Sequence, residues 1–417
     1  MLVLAAAHAE AEVLVRWTED RLPPPQALGV PAVVLPAGSR DTIRDAIAQG
    51  YRVYAEIESA KLATLTLPAG LAGVVVRGNA TKAQLSQLRL RLRPPSARVL
   101  VLDERGKWPH IRSNWVTRNN EVLQVAGRSA QPWLENNAAL IRIANRAPSP
   151  QSRLLTYAWT PATVSEMDEG PALEDYLVAI AEAGSFGDDL LLPLHERFQR
   201  NLVMGIPQAR REWTEIRSYL EFYADNLPKR YRAVTSIGVV TDAPMVWFET
   251  MNLLARHNLP FELIDPSRLA SGVGAHIKPL IVLGDPDAAQ AKALAEFERQ
   301  GGIVKTAKEM ADPNGFALEM RRALGPDKRV VDIWNGITVL VAPYEEPGGS
   351  TMLLTALNYA HQPLPVQLRV PGTFSEVSYE SPEEGLALLP FEHRDGHTEF
   401  VLPALRVGAR VFLARRP

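Results

Sequence analysis

The chemically suggestive residues of this chain sit at the ends of apolar runs. The run 97–102 stops at Asp103-Glu104, and Lys107-Trp108-Pro109-His110-Ile111-Arg112-Ser113-Asn114-Trp115 follows closely. Other runs end at Arg16-Trp17, at Glu56 and Glu58, at Arg77 and Asn79, at Tyr157 and Trp159, and at His195-Glu196. Two carboxylates facing each other across a cleft are what cleavage of a glycosidic bond requires. One protonates the leaving oxygen, and the other attacks the sugar or activates water. Glu56, Asp103 and Glu104 are the catalytic candidates on this reading. Flat apolar faces suit the C–H surfaces of a sugar, and Trp17, Trp108, Trp115, Tyr157 and Trp159 offer them. Polar contacts would come from Arg77, Asn79, His110, Arg112, Asn114 and His195.

Each candidate has a plainer role beside the chemical one. Glu56 and Arg77 lie on neighbouring runs and can form an ion pair, because a buried charge needs a partner. Asp103 and Glu104 can cap a following turn. Trp17 and Trp159 can belong to the core, as large aromatics usually do. Glu135 reads as a first-turn helix acid. His110, His195 and Asp103 could collect a cation, but no ligand spacing supports it, so neither a metal nor a cofactor is assigned.

Such residues need a scaffold that gathers strand ends on one side. Runs at 13–17, 32–35, 51–56, 73–77, 97–102, 122–125, 154–157 and 189–192 are near-continuously apolar, as strands buried on both faces are. Helical stretches at 41–49, 81–92, 133–145 and 173–183 fall between them, and 210–223 follows as a closing helix. Eight strands with intervening helices predict a (β/α)8 TIM barrel over 12–227, whose ligands sit on the loops after the strands. Strand-like runs at 237–241, 261–264, 280–283 and 301–304, with helices at 245–257 and 287–300, predict a small flavodoxin-like α/β domain over 232–326. No glycine-rich phosphate loop follows its first strand, which reads Thr241-Asp242-Ala243-Pro244. From 328 to 417 helical periodicity disappears. Runs at 330–333, 337–341, 352–359, 364–370, 398–402 and 409–414 predict an antiparallel β-sandwich.

Composition narrows the partners. The 417 residues carry a formal net charge of -2, with 46% hydrophobic and 22% charged residues, so nothing points to nucleic acid or an anionic membrane. Cysteine is absent, which removes disulfides, thiolate metal sites and thiol nucleophiles. No apolar run reaches the roughly 18 residues of a bilayer span. Ala7-His8-Ala9 after a short apolar stretch has the form of a signal cleavage site but lacks a basic region before it, so export stays an open expectation.

The order of barrel, small α/β domain and sandwich resembles multidomain glycoside hydrolases of the family 42 β-galactosidase type. Residues 238–242 with their following helix resemble that family's amidotransferase-like middle domain. Leu354-Thr355-Ala356-Leu357-Asn358-Tyr359, and later Phe400 to Val407, resemble strands of glycosidase C-terminal sandwiches. The resemblance implies a carbohydrate substrate and homo-oligomer assembly through the middle domain. It departs in the barrel. The family's clan carries an Asn-Glu pair after the fourth strand, where this chain reads Val76-Arg77-Gly78-Asn79. The nucleophile position after the seventh strand reads Tyr157-Ala158-Trp159-Thr160. Three readings follow: a glycoside hydrolase with displaced carboxylates, a non-catalytic carbohydrate-binding protein of glycosidase fold, or a metal-dependent hydrolase or deacetylase using His110 and His195.

Overall fold

The computed structural model describes residues 13–30, 32–64, 66–94, 96–102, 110–112, 116–119, 122–125, 137–145, 153–160, 164–307, 312–325, 328–336, 338–360 and 362–415. Two compact units divide the chain. One takes residues up to 113 and 149–229, and the other takes 114–148 and 230–417.

The first unit is a closed parallel barrel. Its strands are Val13–Arg16, Ala32–Pro36, Arg52–Glu58, Gly73–Arg77, Arg98–Leu102, Arg153–Thr156 and Leu190–Pro193, each paired to the next in chain order. Closure comes from the first strand pairing with the last, Val13 opposite Leu190 and Arg16 opposite Pro193. Side chains alternate along a strand, so one parity fills the barrel. Leu14, Val34, Tyr54, Val75, Leu100, Leu154 and Leu191 form that interior and pack together. Gly73 belongs to the same parity, and its missing side chain makes room: a Cβ there would meet the Arg98 carbonyl oxygen and the Tyr54 ring.

The expected count of eight strands is corrected to seven among the described residues. The run Val122–Val125 lies outside the barrel and pairs antiparallel with Val116–Asn119, with Asn119 opposite Val122. The reason is local. The register leaves two residues, Asn120 and Glu121, between the strands, so the run pairs with its sequence neighbour as a hairpin. The helix Ala138–Asn145, expected on the barrel's outside, instead belongs to the second unit. Ala139 packs with the core around Ile237, and Arg142 Nη1 donates to the Phe261 carbonyl at 2.6 Å. The segment 12–227 is therefore not continuous within the barrel unit.

Helices Arg40–Ala48, Lys82–Arg91, Val164–Glu169, Leu173–Ser185, Glu196–Val203 and Pro207–Tyr223 belong to the barrel unit. Thr81 and Gln84 start the second of these with a reciprocal capping box. After the first and third strands the chain makes only the short helix Pro25–Leu28 and the turn Ser59–Lys61.

In the second unit, Phe261–Ile264, Ile237–Val240, Pro279–Leu283 and Ile303–Ala307 form a parallel sheet in that order, the flavodoxin-like arrangement. Two antiparallel sheets follow, one of six strands and one of four, sharing an apolar core that includes Leu354, Val366, Phe374 and Val411. Asn358, from the Leu-Asn-Tyr stretch singled out in the sequence, is buried there. Its Nδ2 donates to the carbonyls of Gln362, Leu405 and Arg406. No described helix is long and apolar enough to cross a membrane.

Because Gly73 leaves space that the Tyr54 ring uses, Gly73→Ala is expected to destabilise the chain by about 1–3 kcal/mol through overpacking. Urea denaturation followed by circular dichroism reads this as a lower midpoint, and an unchanged midpoint contradicts the packing argument.

Candidate active site

The parity that fills the barrel also builds its mouth. Two residues along from Leu14, Tyr54, Val75 and Leu154 come Arg16, Glu56, Arg77 and Thr156, on the same interior face at the C-terminal ends of their strands. They line an open cavity of about 240 Å³, together with Tyr157 and apolar residues such as Leu191.

Glu56 is the anion of this site. It is only 8% exposed, and both its oxygens are taken by guanidinium groups. Arg16 Nε donates to Oε2 at 2.5 Å, and Arg77 Nη1 donates to Oε1 at 3.0 Å. Glu58, two residues along, is mostly exposed and lies 3.8 Å from Arg77. A carboxylate so held keeps two cations in place. Each oxygen already accepts from a guanidinium, so this geometry suits a positioning anion better than the proton donor or nucleophile that the sequence suggested.

Trp17 is corrected outright. It is 0% exposed, and its Nε1 donates to the Arg21 carbonyl at 2.9 Å. Standing one residue beyond Arg16, it has the opposite parity and is buried, so it has no face to offer a sugar. Asn79 is exposed and stands just past the fourth strand. Tyr157 lines the cavity but is itself buried, and its hydroxyl donates to Glu182 Oε2 at 2.9 Å on the helix Leu173–Ser185.

Trp159 and His195 come together, ring centroids 5.7 Å apart in an edge-on arrangement. His195 Nδ1 accepts from the Arg197 backbone N–H at 3.3 Å and caps the helix Glu196–Val203. Its Nε2 lies 3.1 Å from the Met167 carbonyl. Both ring nitrogens are thus engaged, and the contacts fit the tautomer protonated on Nε2. The His195 backbone N–H donates to the Tyr176 hydroxyl, and burial pushes that phenol well above its usual pKa, so it stays protonated.

The loop that drew attention first lies largely outside the described residues. Asp103, Glu104, Trp108, Asn114 and Trp115 fall there, as do the side chains of His110 and Arg112. The backbone of His110–Arg112 is described. It runs parallel to Ala158–Thr160, His110 opposite Ala158, which lines the cavity. The loop after the fifth strand is thereby joined to the loop after the sixth at the mouth.

Gln199 escaped the sequence reading. It is fully buried, and its Oε1 accepts from the backbone N–H groups of Thr18 and Glu19 at 2.8 and 3.1 Å. Its Nε2 donates to the Leu194 carbonyl at 2.7 Å. One side chain therefore ties the loop after the first strand to the loop after the last. Only its place on a helix face turned to the barrel makes it a clamp, and no motif marks that.

No family model and no curated protein matches this sequence. Solved structures do match, and those named below are glycoside hydrolases. The alpha-L-fucosidase isoenzyme 2 from Paenibacillus thiaminolyticus aligns over 98% of this chain and 100% of its own, at 10% identity and a TM-score of 0.61. A rhamnosidase from Novosphingobium sp. aligns over 80% of this chain and 38% of its own, at 13% identity and a TM-score of 0.46. A GH42 beta-galactosidase from G. stearothermophilus aligns over 91% and 66%, at 10% identity and a TM-score of 0.39. The fucosidase match extends over nearly all of this chain and all of the other, and at such identity it establishes a shared fold.

The ion cluster predicts a contrast between two glutamates. Glu56→Gln sets an amide N–H₂ against a guanidinium in a buried place and is expected to cost about 1–3 kcal/mol. Glu58→Gln, at an exposed position, is expected to stay within roughly 0.5 kcal/mol of the parent. Parallel urea titrations check this, and equal losses from the two variants would show that Glu56 does not organise the mouth.

Proposed function

We propose that the chain binds a carbohydrate at the barrel mouth and hydrolyses a glycosidic bond there. The observation that carries the reading is the open cavity at the C-terminal ends of the strands, where Arg16, Glu56, Arg77 and Thr156 converge. Barrel enzymes place their chemistry at that end. Support comes from the fold, which is shared with an alpha-L-fucosidase over 98% of the chain.

The roles divide by environment. Glu56 holds Arg16 and Arg77, and these two supply donors to the sugar together with Asn79. Trp159, partly exposed beside His195, supplies an apolar face. Acid and base are assigned to Asp103 and Glu104 on the loop that continues from the strand Arg98–Leu102. One carboxyl protonates the glycosidic oxygen while the other attacks the sugar carbon or activates water. Trp108, His110, Arg112 and Asn114 on the same loop are assigned to substrate contact. Assembly into a homo-oligomer through the small α/β domain belongs to the same proposal.

A second reading has its own observation. Among the described residues lining the cavity, Glu56 is the one carboxylate, and two arginines occupy it. A barrel of that kind binds sugar without cleaving it.

Turnover of an aryl glycoside panel separates the two. Asp103→Asn or Glu104→Gln is expected to lower kcat by about 10²–10⁴ on any substrate that turns over, the range of general acid–base catalysis. Binding without turnover across the panel supports the second reading, and turnover indifferent to both substitutions removes the assigned residues.

A further inference from the structure

Within the carbohydrate reading of this cavity, on which the following rests, Arg16 narrows the class of sugar. Its Nε–H is committed to Glu56, and this is its one hydrogen bond among the described residues. The two terminal nitrogens have no partner there, and neither is a buried orphan. The side chain is 32% exposed and lines the cavity. An arginine in this state keeps its outer edge, two parallel N–H donors on a planar group. That edge matches the two oxygens of a carboxylate and binds them as a pair.

The surroundings point the same way. Burying Glu56 is costly unless something is gained by it. What the burial secures is a guanidinium held at a fixed place on the rim. Two guanidiniums, Arg16 and Arg77, line the cavity against that single carboxylate. Glu58 near Arg77 is 53% exposed, and water screens it. Leu102, Ala158, Leu191 and Pro193 make the remaining wall largely apolar, which strengthens a charge-paired contact. At about 240 Å³ the cavity is smaller than the roughly 300–1,000 Å³ that holds a drug-sized ligand, so it suits one sugar ring.

We propose that the barrel mouth recognises a sugar unit bearing a carboxylate, a uronic or ulosonic acid, and that the outer edge of Arg16 grips the carboxylate. Isothermal titration calorimetry on the full chain tests this with D-glucuronate, D-galacturonate and N-acetylneuraminate as the acids. D-glucose and D-galactose serve as neutral counterparts, and acetate as a carboxylate without a sugar. At least one acid is expected to bind about tenfold to a hundredfold more tightly than the neutral sugars and acetate, a ratio typical of a charge-assisted pair. Which acid it is separates the uronic from the ulosonic case. Arg16→Met is expected to abolish the preference. Arg16→Lys, which keeps the charge and loses the planar fork, is expected to lose most of it. Where either variant fails to fold by circular dichroism, the selectivity of the unaltered protein decides.

Neutral sugars bound as tightly as the acids overturn the inference and leave the carbohydrate reading standing. So does an acid preference that survives in both folded variants. Acetate bound as well as the sugar acids also overturns it, as adventitious anion binding. No binding by any sugar removes both the inference and the reading beneath it.

Discussion

A closed barrel has a single interior, and every strand must send alternate residues into it. Nearly everything observed at the mouth follows from that constraint. The residues that fill the centre, such as Leu14, Tyr54, Val75 and Leu154, are two positions before Arg16, Glu56, Arg77 and Thr156 on the same strands. The polar cluster is the next layer of the core, at the level where the barrel opens to water. Charges can stand there because each is paired: Glu56 answers two arginines, and these are partly solvated while it is not. Burial and ion pairing together fix the guanidinium groups more tightly than flexible surface side chains would be.

The barrel reaches closure with seven strands because the stretch between the fifth and sixth is used otherwise. After Leu102 the chain contributes Val116–Asn119 and Val122–Val125 as a hairpin and Ala138–Asn145 as a helix, all in the second unit. It returns at Arg153, whose strand pairs directly with the fifth, Leu102 opposite Leu154. On the way, His110–Arg112 lies against Ala158–Thr160. These three residues belong to the first unit and join the loop beside the cavity. Gln199 performs the corresponding service on the other side by tying the loops after the first and last strands. Loops at a barrel mouth become a site when such ties hold them to the rigid sheet.

Much of this was legible in the linear chain. Seven of the eight apolar runs read as barrel strands are barrel strands, because a strand buried on both faces needs an unbroken apolar stretch. The Glu56–Arg77 ion pair could be anticipated, since their runs are consecutive and consecutive strands pair. The three sheet types also showed themselves, through the change from alternating strand and helix to strands alone. The errors are of a different kind. Val122–Val125 has strand composition, and composition says nothing of which sheet a strand joins. Ala138–Asn145 has an apolar stripe, and a stripe does not name the surface that covers it.

Residue types and spacing by themselves determined the elements and the parity along each strand. They put Glu56 and Arg77 within reach of one another, on consecutive strands. Tertiary structure alone decided the rest. It set Trp17 in the core and Arg16 in the cavity, though they are adjacent, because only a closed sheet defines which parity faces inward. It gave Glu56 two cations where the chain suggested one, because the Arg16–Glu56 contact, made across an intervening strand, exists only after the barrel curves shut. Chemistry at a barrel mouth depends on which side chains share an interior, and an interior is a property of closure.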